Sequence, residues 1–354
     1  MIDPVAFSVE HKHEQVVSYF DPETGLRAFI ALHNTSRGPG MGGTRLWHYE
    51  SPQEALLDVL RLSEGMTFKA AVAGLPLGGG KTVVLADGNE QDAAVRAARF
   101  RVLGRYIDGL AGRYITAEDV GTTPQDMAQV RRSTRFVMGI PAEEGGSGDP
   151  SPMTAFGVLC GIKALAEDVL ERDTLAGVRV AIQGLGKVGM SLAELLMSEG
   201  AVVIGSDVRP QVAEEARNRL KIEVVEPGAI YDVPCAIFAP CAMGGIINDQ
   251  TIPRLTCKVI AGCANNQLED ERHGQILHDR SITYAVDYVI NSGGLINVAS
   301  ELNGYDEGKA RAKTAQIYHT IKRMLAISRA EGISTQRAAH RMALETLEQA
   351  PKNN

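Results

Sequence analysis

Hydrophobic and polar positions along this chain change rhythm several times, and each rhythm predicts an element. Residues 25–34, GLRAFIALHN, alternate loosely and read as a strand, which the turn-rich SRGPGMGGTR after it carries into a loop. In residues 51–71, Leu56, Val59, Leu60 and Leu62 keep helical spacing. Ser51 can cap that helix, Pro52 suits its first position and Glu54 completes a capping box; Gly65 is the expected stop, with Lys69 just beyond it. A glycine stretch, GLPLGGGK, then leads into the strand TVVLAD. QDAAVRAARFRVLGRYIDGL predicts a second helix, and RYITAEDVGT a strand running into a loop. Helices and strands thus alternate around two glycine-rich loops in the first 150 or so residues.

The segment EEGGSGDPSP offers almost nothing to bury and is the natural linker. The expected division is therefore a first domain over residues 1–145 and a second over 146–330, with the helical stretch 331–354 free to pack back on the first. A helix is expected from about Thr154 to Leu170, and the C-terminal third is helical again from GYDEGK onward. The whole is an α/β protein of two domains with a cleft between them, as its 354 residues suggest.

A hydrophobic fraction of 44% with 22% charged residues is that of an ordinary globular chain. The net charge of -7 argues against nucleic acid or an anionic membrane as the main partner. The start has no apolar core of signal-peptide length, and no run of apolar residues is long enough to span a bilayer. Five cysteines, Cys160, Cys235, Cys241, Cys257 and Cys263, form no C-x-x-C pair and read as free thiols in a reducing cytoplasm. The eight histidines show no metal-ligand spacing, so no metal is expected.

The most informative rhythm is VRVAIQGLGKVGMSLAELLMSEGAVVIGSDV: strand, Gly-x-Gly-x-x-Gly turn, helix, second strand, terminal acid. Gly184 permits the tight turn, Gly186 lets backbone approach a pyrophosphate, and Gly189 allows close packing of helix on strand. Lys187 and Val188 open the helix whose N-terminus faces the phosphate charge. Asp207, about twenty residues on, would accept hydrogen bonds from the adenosine ribose and repel a 2'-phosphate, which favours NAD over NADP. Arg209 stands two residues beyond that acid and weakens the preference.

In the first domain, Gly80, Lys81 and Thr82 fit the end of an NTPase phosphate loop, but Leu75 stands where its first glycine belongs and a strand follows where a helix is required. Lys69 and Lys81 instead bracket AAVAGLPLGGG, an apolar segment with no other charge. Two lysines brought together in a partly dry cleft repel each other's protons, so that one can act as a general base while the other stays cationic and holds an anion.

The stretches GPGMGGTR, EGMTFKAAVAGLPLGGGK, TAEDVGT, QGLGKVG, FAPCAMGG, AGCANNQL and DYVINSGGLINV occur in this order over nearly the whole chain. With them the sequence resembles the glutamate/leucine/phenylalanine/valine dehydrogenase family. The resemblance implies that Lys69 binds the substrate α-carboxylate, that Lys81 is the catalytic lysine and that Asp119 assists proton transfer at the amine. It also implies that Asn266 and the backbone near Gly42 fix the substrate, with Asn266, Asn291 and Thr154 near the nicotinamide of a Rossmann-bound NAD. The reaction implied is the reversible oxidative deamination of an L-amino acid to a 2-oxo acid and ammonia, by a homo-oligomer, either dimer or octamer.

The side-chain pocket would be lined by Met41, Ala117, Leu295 and Val298. All four are apolar, so a glutamate side chain would lie unpaired there at a cost on the order of several kcal/mol. An apolar substrate is expected, either branched aliphatic or aromatic, since flexible Met41 admits both. TAEDVGT is similar to the leucine enzymes, whereas Met41 with Leu295 also resembles the phenylalanine and tryptophan enzymes. Ser292 departs from the alanine expected beside Asn291, either altering nicotinamide contacts or bonding to nearby backbone. The competing reading is a catalytically silent NAD-binding regulator of the same fold.

Overall fold

The chain opens with a short helix, Pro4–Glu10 (α1), and an antiparallel pair of strands, Gln15–Asp21 (β1) and Leu26–Asn34 (β2). The turn-rich segment after them is a loop only over residues 36–39; from there Gly40–Trp47 is a buried strand (β3). Pro52–Val72 forms a long helix (α2), Gly78–Leu85 a strand buried along its whole length (β4), and Ala93–Asp108 a further helix (α3). Tyr114–Glu118 (β5) and Pro124–Arg131 (α4) follow. These positions come from a computed structural model that describes residues 3–350.

The strands form one sheet in the order β1-β2-β4-β3-β5, with β3 parallel to both β4 and β5. Apolar residues alternate along it and are covered on both faces. On one face Ala31, Val83 and Leu85 meet Ala55, Val59 and Leu60 of α2. On the other, Leu26, Ile30, Leu32 and Val84 pack with Phe100, Leu103 and Ile107 of α3 and with Met127 and Val130 of α4. Each such buried side chain contributes about 1.5–3 kcal/mol relative to exposure.

Both glycine runs expected as loops lie within this sheet. A Cβ at Gly79 would stand 2.1 Å from Thr67 Oγ1 and 2.4 Å from the Ser63 carbonyl, so β4 is pressed directly onto α2. The glycines therefore serve close packing rather than exposing backbone to a small molecule, and no phosphate loop forms. Helix α2 likewise passes through Gly65 and ends at Val72, which places Lys69 in its last turn. Ser51 caps α2 by accepting the Glu54 N–H, but the Glu54 carboxylate accepts from Glu50 rather than from the cap residue, so the capping box is half formed.

Beyond the 3-10 turn Ala142–Glu144, helix Ser151–Val169 (α5) begins the second half. Strands Arg179–Gln183 (β6) and Val202–Ser206 (β7) flank helix Lys187–Ser198 (α6), and helix Pro210–Leu220 (α7) leads to Glu223–Val224 (β8). Ile237–Pro240 (β9), Val259–Ile260 (β10) and Thr283–Tyr284 (β11) complete a parallel sheet ordered β11-β10-β9-β6-β7-β8. That is the doubly wound order 3-2-1-4-5-6 read from the other edge, with its switch point between β6 and β9, where such folds take their ligands. The expected Rossmann arrangement is the one observed.

Two compact units result. The first takes the described residues up to Asp149, the segment Val298–Glu307 and the described stretch from Ala343; the second comprises Pro150–Asn297 and Gly308–Met342. Within the first unit, Glu301 accepts N–H bonds from Gly139 and Ser147, and Arg37 donates to the Thr346 carbonyl at 3.1 Å. Among the described residues no helix is long and apolar enough to cross a membrane.

Candidate active site

Lys81 sits in the middle of β4 with its side chain only 5% exposed, and its Nζ lies 2.9 Å from Asp119 Oδ2. Pairing of Met41 with Gly79 and Thr44 with Thr82 sets Gly43 beside Lys81 on the neighbouring strand. A Cβ at Gly43 would meet Asp119 Cβ at 2.7 Å and the Glu118 carbonyl at 2.5 Å, so glycine there is what lets the carboxylate approach the lysine. Asp119 is turned by the loop after β5: its N–H donates to Thr122 Oγ1, which in turn donates to the Thr44 carbonyl, both at 2.9 Å.

Burial is the largest influence on Lys81 and pushes its ammonium below the ordinary lysine range; Asp119 opposes this and the nearby Arg45 adds to it. Burial alone would raise Asp119, but the charges of Lys81 and Arg45 outweigh it and hold the carboxyl below its usual range. The result is a buried amine held below the ordinary lysine range, in contact with a carboxylate held below its own.

Arg45 sets a second cation on the carboxylate that Lys81 touches, its Nε 3.1 Å from Asp119 Oδ2. Arg45 ends the quoted GPGMGGTR motif, but a polar residue closing a glycine-rich stretch carries no signal of its own. Lys69 projects from the last turn of α2 and is half-buried. Met41 and Ala117 are buried on β3 and β5, and the register Met41↔Ile115 and Gly43↔Ala117 places them on one face of the sheet. The Gly42 carbonyl accepts from the Tyr114 hydroxyl at 2.6 Å, and a Cβ on Gly42 would meet the Gly80 carbonyl at 1.8 Å. Val298, also buried, belongs to the returning segment of the first unit.

In the second unit, Gly184 adopts φ +99, a left-handed turn that favours glycine. A Cβ at Gly189 would meet the Gly184 carbonyl at 2.0 Å, so the turn and α6 are in direct backbone contact. Gly186 caps α6, whose first residues are Lys187 and Val188. The Asp207 carboxylate accepts the Leu185 N–H at 2.9 Å and the Arg209 Nε at 3.0 Å. Arg209 thus neutralises much of the charge with which Asp207 would repel a 2'-phosphate.

A second cluster forms after β10. Asn291 is buried, and its Nδ2 donates to the Cys263 carbonyl at 3.0 Å and to Asn265 Oδ1 at 2.9 Å. Asn266 holds a left-handed backbone, φ +49, and its N–H donates to Asp287. Thr154 lies on the first turn of α5, where its Oγ1 would meet a Cβ on Gly294 at 2.6 Å; helix Gly293–Ala299 therefore starts against it and carries half-buried Leu295. Ser292 is buried with its hydroxyl donating to the Val289 carbonyl at 2.8 Å, so it bonds to nearby backbone.

Comparison with known proteins adds what geometry alone leaves open. Residues 13–136 match the model of the Glu/Leu/Phe/Val dehydrogenase dimerisation domain, and residues 145–216 and 206–354 match that of Glutamate/Leucine/Phenylalanine/Valine dehydrogenase. The chain is 52% identical over 338 residues to leucine dehydrogenase of Geobacillus stearothermophilus, covering 96% of this chain and 91% of that one. It is 44% identical to phenylalanine dehydrogenase of Bacillus thermotolerans, covering 100% and 93%. The crystal structure of L-tryptophan dehydrogenase from Nostoc punctiforme superposes with a TM-score of 0.84 at 42% identity, covering 98% and 99%. With a buried lysine-carboxylate pair in one unit, a dinucleotide-type turn in the other and matches spanning both, the chain belongs to the glutamate/leucine/phenylalanine/valine dehydrogenase family.

Proposed function

We propose that this protein catalyses the reversible, NAD-dependent oxidative deamination of an apolar L-amino acid to its 2-oxo acid and ammonia. The observation that carries this reading is the buried Lys81 in contact with ionised Asp119. Relatives named for leucine, phenylalanine and tryptophan dehydrogenation support the substrate class. A silent regulator of the same fold has no observation in its favour, since the lysine, the acid and the glycine turn are all intact.

The second unit fits a dinucleotide. Among the described residues, chain neighbours aside, a Cβ built on Gly186 would meet Arg209 Nη2 alone within 4 Å, at 3.7 Å, so space lies open before the α6 N-terminus, where a pyrophosphate is favoured. Asn291 Oδ1 is buried without a hydrogen-bond partner, an acceptor suited to an amide N–H such as that of nicotinamide. Gly184, Gly186, Lys187, Val188, Gly189 and Asp207 would hold the adenosine half, and Thr154, Asn266 and Asn291 the nicotinamide half. When bound, NAD supplies a hydride acceptor for the substrate Cα.

The chain's own residues handle charge and protons. Lys69, at the end of α2, would pair with the α-carboxylate, and backbone near Gly42 would help orient the amino group. An ammonium group has no lone pair with which to form an imine, so it must first lose a proton, which Asp119 takes and passes to solvent, so that Asp119 is ionised and Lys81 neutral again before the water step. Neutral Lys81 then removes a proton from the water that attacks the imino carbon, and the protonated lysine returns it as ammonia departs. Met41, Ala117 and Val298, buried apolar residues of the first unit, would offer no partner to a charged side chain.

A homo-oligomer is supported by the dimerisation-domain match and by the exposed Val5, Val9, Phe20 and Trp47 on the first unit. The five free cysteines suit the cytoplasm.

The test is to mix the purified protein with NAD and a panel of L-amino acids at alkaline pH and follow absorbance of the reduced nicotinamide. Turnover with leucine, valine, isoleucine, phenylalanine or tryptophan, and little with glutamate, is expected. No signal with any of them, or a preference for glutamate, would overturn the reading.

A further inference from the structure

Lys81 and Arg45 converge on one atom. Lys81 Nζ lies 2.9 Å from Asp119 Oδ2, and Arg45 Nε donates to the same oxygen at 3.1 Å. Arg45 stands on β3, opposite Val83 of β4, and its side chain is 18% exposed. Its guanidinium is held from the far side too: Nη1 donates to Asp58 Oδ2 of α2 at 3.1 Å, and the Tyr49 hydroxyl donates to that oxygen at 2.6 Å. The fork thus spans two carboxylates, one in the candidate active site and one on the covering helix.

We propose that Arg45 is a positioning residue for the reaction, whose permanent charge on Asp119 Oδ2 lets Lys81 part with its proton while the carboxylate remains paired. The inference rests on the amine chemistry assigned to Lys81 above and deepens it. A guanidinium does not deprotonate in a protein, so of two cations sharing one oxygen only the lysine can become neutral. In a simple two-member pair, a neutral lysine would leave a buried carboxylate without a counter-charge, and the proton would stay on the amine. With Arg45 present, Asp119 keeps a cation in both states of Lys81.

Further titratable groups lie on the elements packed around the pair. Asp58, from α2, favours the ammonium and offsets part of the Arg45 charge. Burial and hydrogen bonding to Asp58 raise Tyr49, which therefore stays a proton donor. Tyr114 of β5, buried near Asp119, turns its hydroxyl to the Gly42 carbonyl. On α2, Glu64 is engaged by His11 Nδ1, and Lys69 carries a further positive charge. Glu118 precedes Asp119 on β5.

The experiment reads Lys81 without requiring turnover. Reductive methylation by formaldehyde and cyanoborohydride, followed across pH by peptide mass spectrometry, gives the midpoint at which the Lys81 amine becomes reactive. Arg45→Gln keeps a donor but removes the charge, and Arg45→Lys keeps the charge but loses the fork. Arg45→Gln is expected to raise the midpoint by about one pH unit, a tenfold loss of neutral amine below it, and to move the acid limb of kcat/KM by a similar amount. Arg45→Lys is expected to restore most of the shift. Asp58→Asn, which removes an opposing charge, is expected to lower the midpoint, and it serves as the readout if Arg45→Gln does not fold. An unchanged midpoint in Arg45→Gln, an equal shift in both arginine variants, or a raised midpoint in Asp58→Asn would overturn the proposal. If the midpoint moves but no amino acid is turned over, Arg45 tunes Lys81 and the assigned reaction fails; if turnover is present and the midpoint is fixed, the reverse holds.

Discussion

A charged side chain in the middle of a central strand is costly to bury, and Lys81 is tolerated because it touches a carboxylate and because that carboxylate has a second cation. The lysine itself was legible in the sequence, as a charge closing an apolar, glycine-rich segment. Asp119 was legible through the TAEDVGT resemblance and not through spacing, since it lies on a different strand end. Arg45 was not legible at all, because its role depends on β3 lying between β4 and β5, which no local pattern encodes. On the proposed reading Lys69 serves the substrate carboxylate instead. Replacing it by alanine is expected to raise KM at least tenfold, about 1.4 kcal/mol of binding, with a smaller change in kcat, as steady-state kinetics would show. An unchanged KM would remove it from the carboxylate site.

At the scale of elements, glycine misled the reading of the first half and guided that of the second. SRGPGMGGTR and GLPLGGGK carry the residue that most often marks loops, yet Gly40, Gly42, Gly43, Gly78, Gly79 and Gly80 are strand positions where a Cβ would strike a neighbouring element. The fingerprint at Gly184, Gly186 and Gly189 was read correctly because strand, turn, helix and terminal acid all sit within one short stretch, so no distant contact was needed to recognise it. Gly65 shows the limit of glycine as a stop signal: α2 continues for seven further residues because Thr67, Ala70 and Ala71 are buried against the sheet. A Cβ at Gly65 meets nothing within 4 Å. Gly65→Ala is therefore expected to stabilise the protein by about 0.5–1 kcal/mol in chemical denaturation, with activity retained. Destabilisation would mean that the glycine has a packing role.

At the scale of the molecule, the α/β class, the Rossmann-type sheet and the division of the chain into two parts were within reach of sequence reasoning, because periodicity and the linker are local. The route of the chain was not. The segment Val298–Glu307 leaves the second unit for the first, tied there by Glu301 to the Gly139 and Ser147 N–H groups, and hydrogen bonds of such long range leave no periodic trace. On the proposed reading the chemistry divides in the same way: proton handling falls to Lys81 and Asp119 of the first unit, and the dinucleotide-type turn belongs to the second. A substitution at Lys81 should therefore leave coenzyme affinity untouched. The most direct measurement is to compare Lys81→Ala with the unaltered protein in two assays, turnover of an apolar L-amino acid and NADH binding by coenzyme fluorescence. Turnover falling below detection with an unchanged Kd for NADH is expected; turnover retained within a few-fold would contradict a proton-transferring role for this lysine.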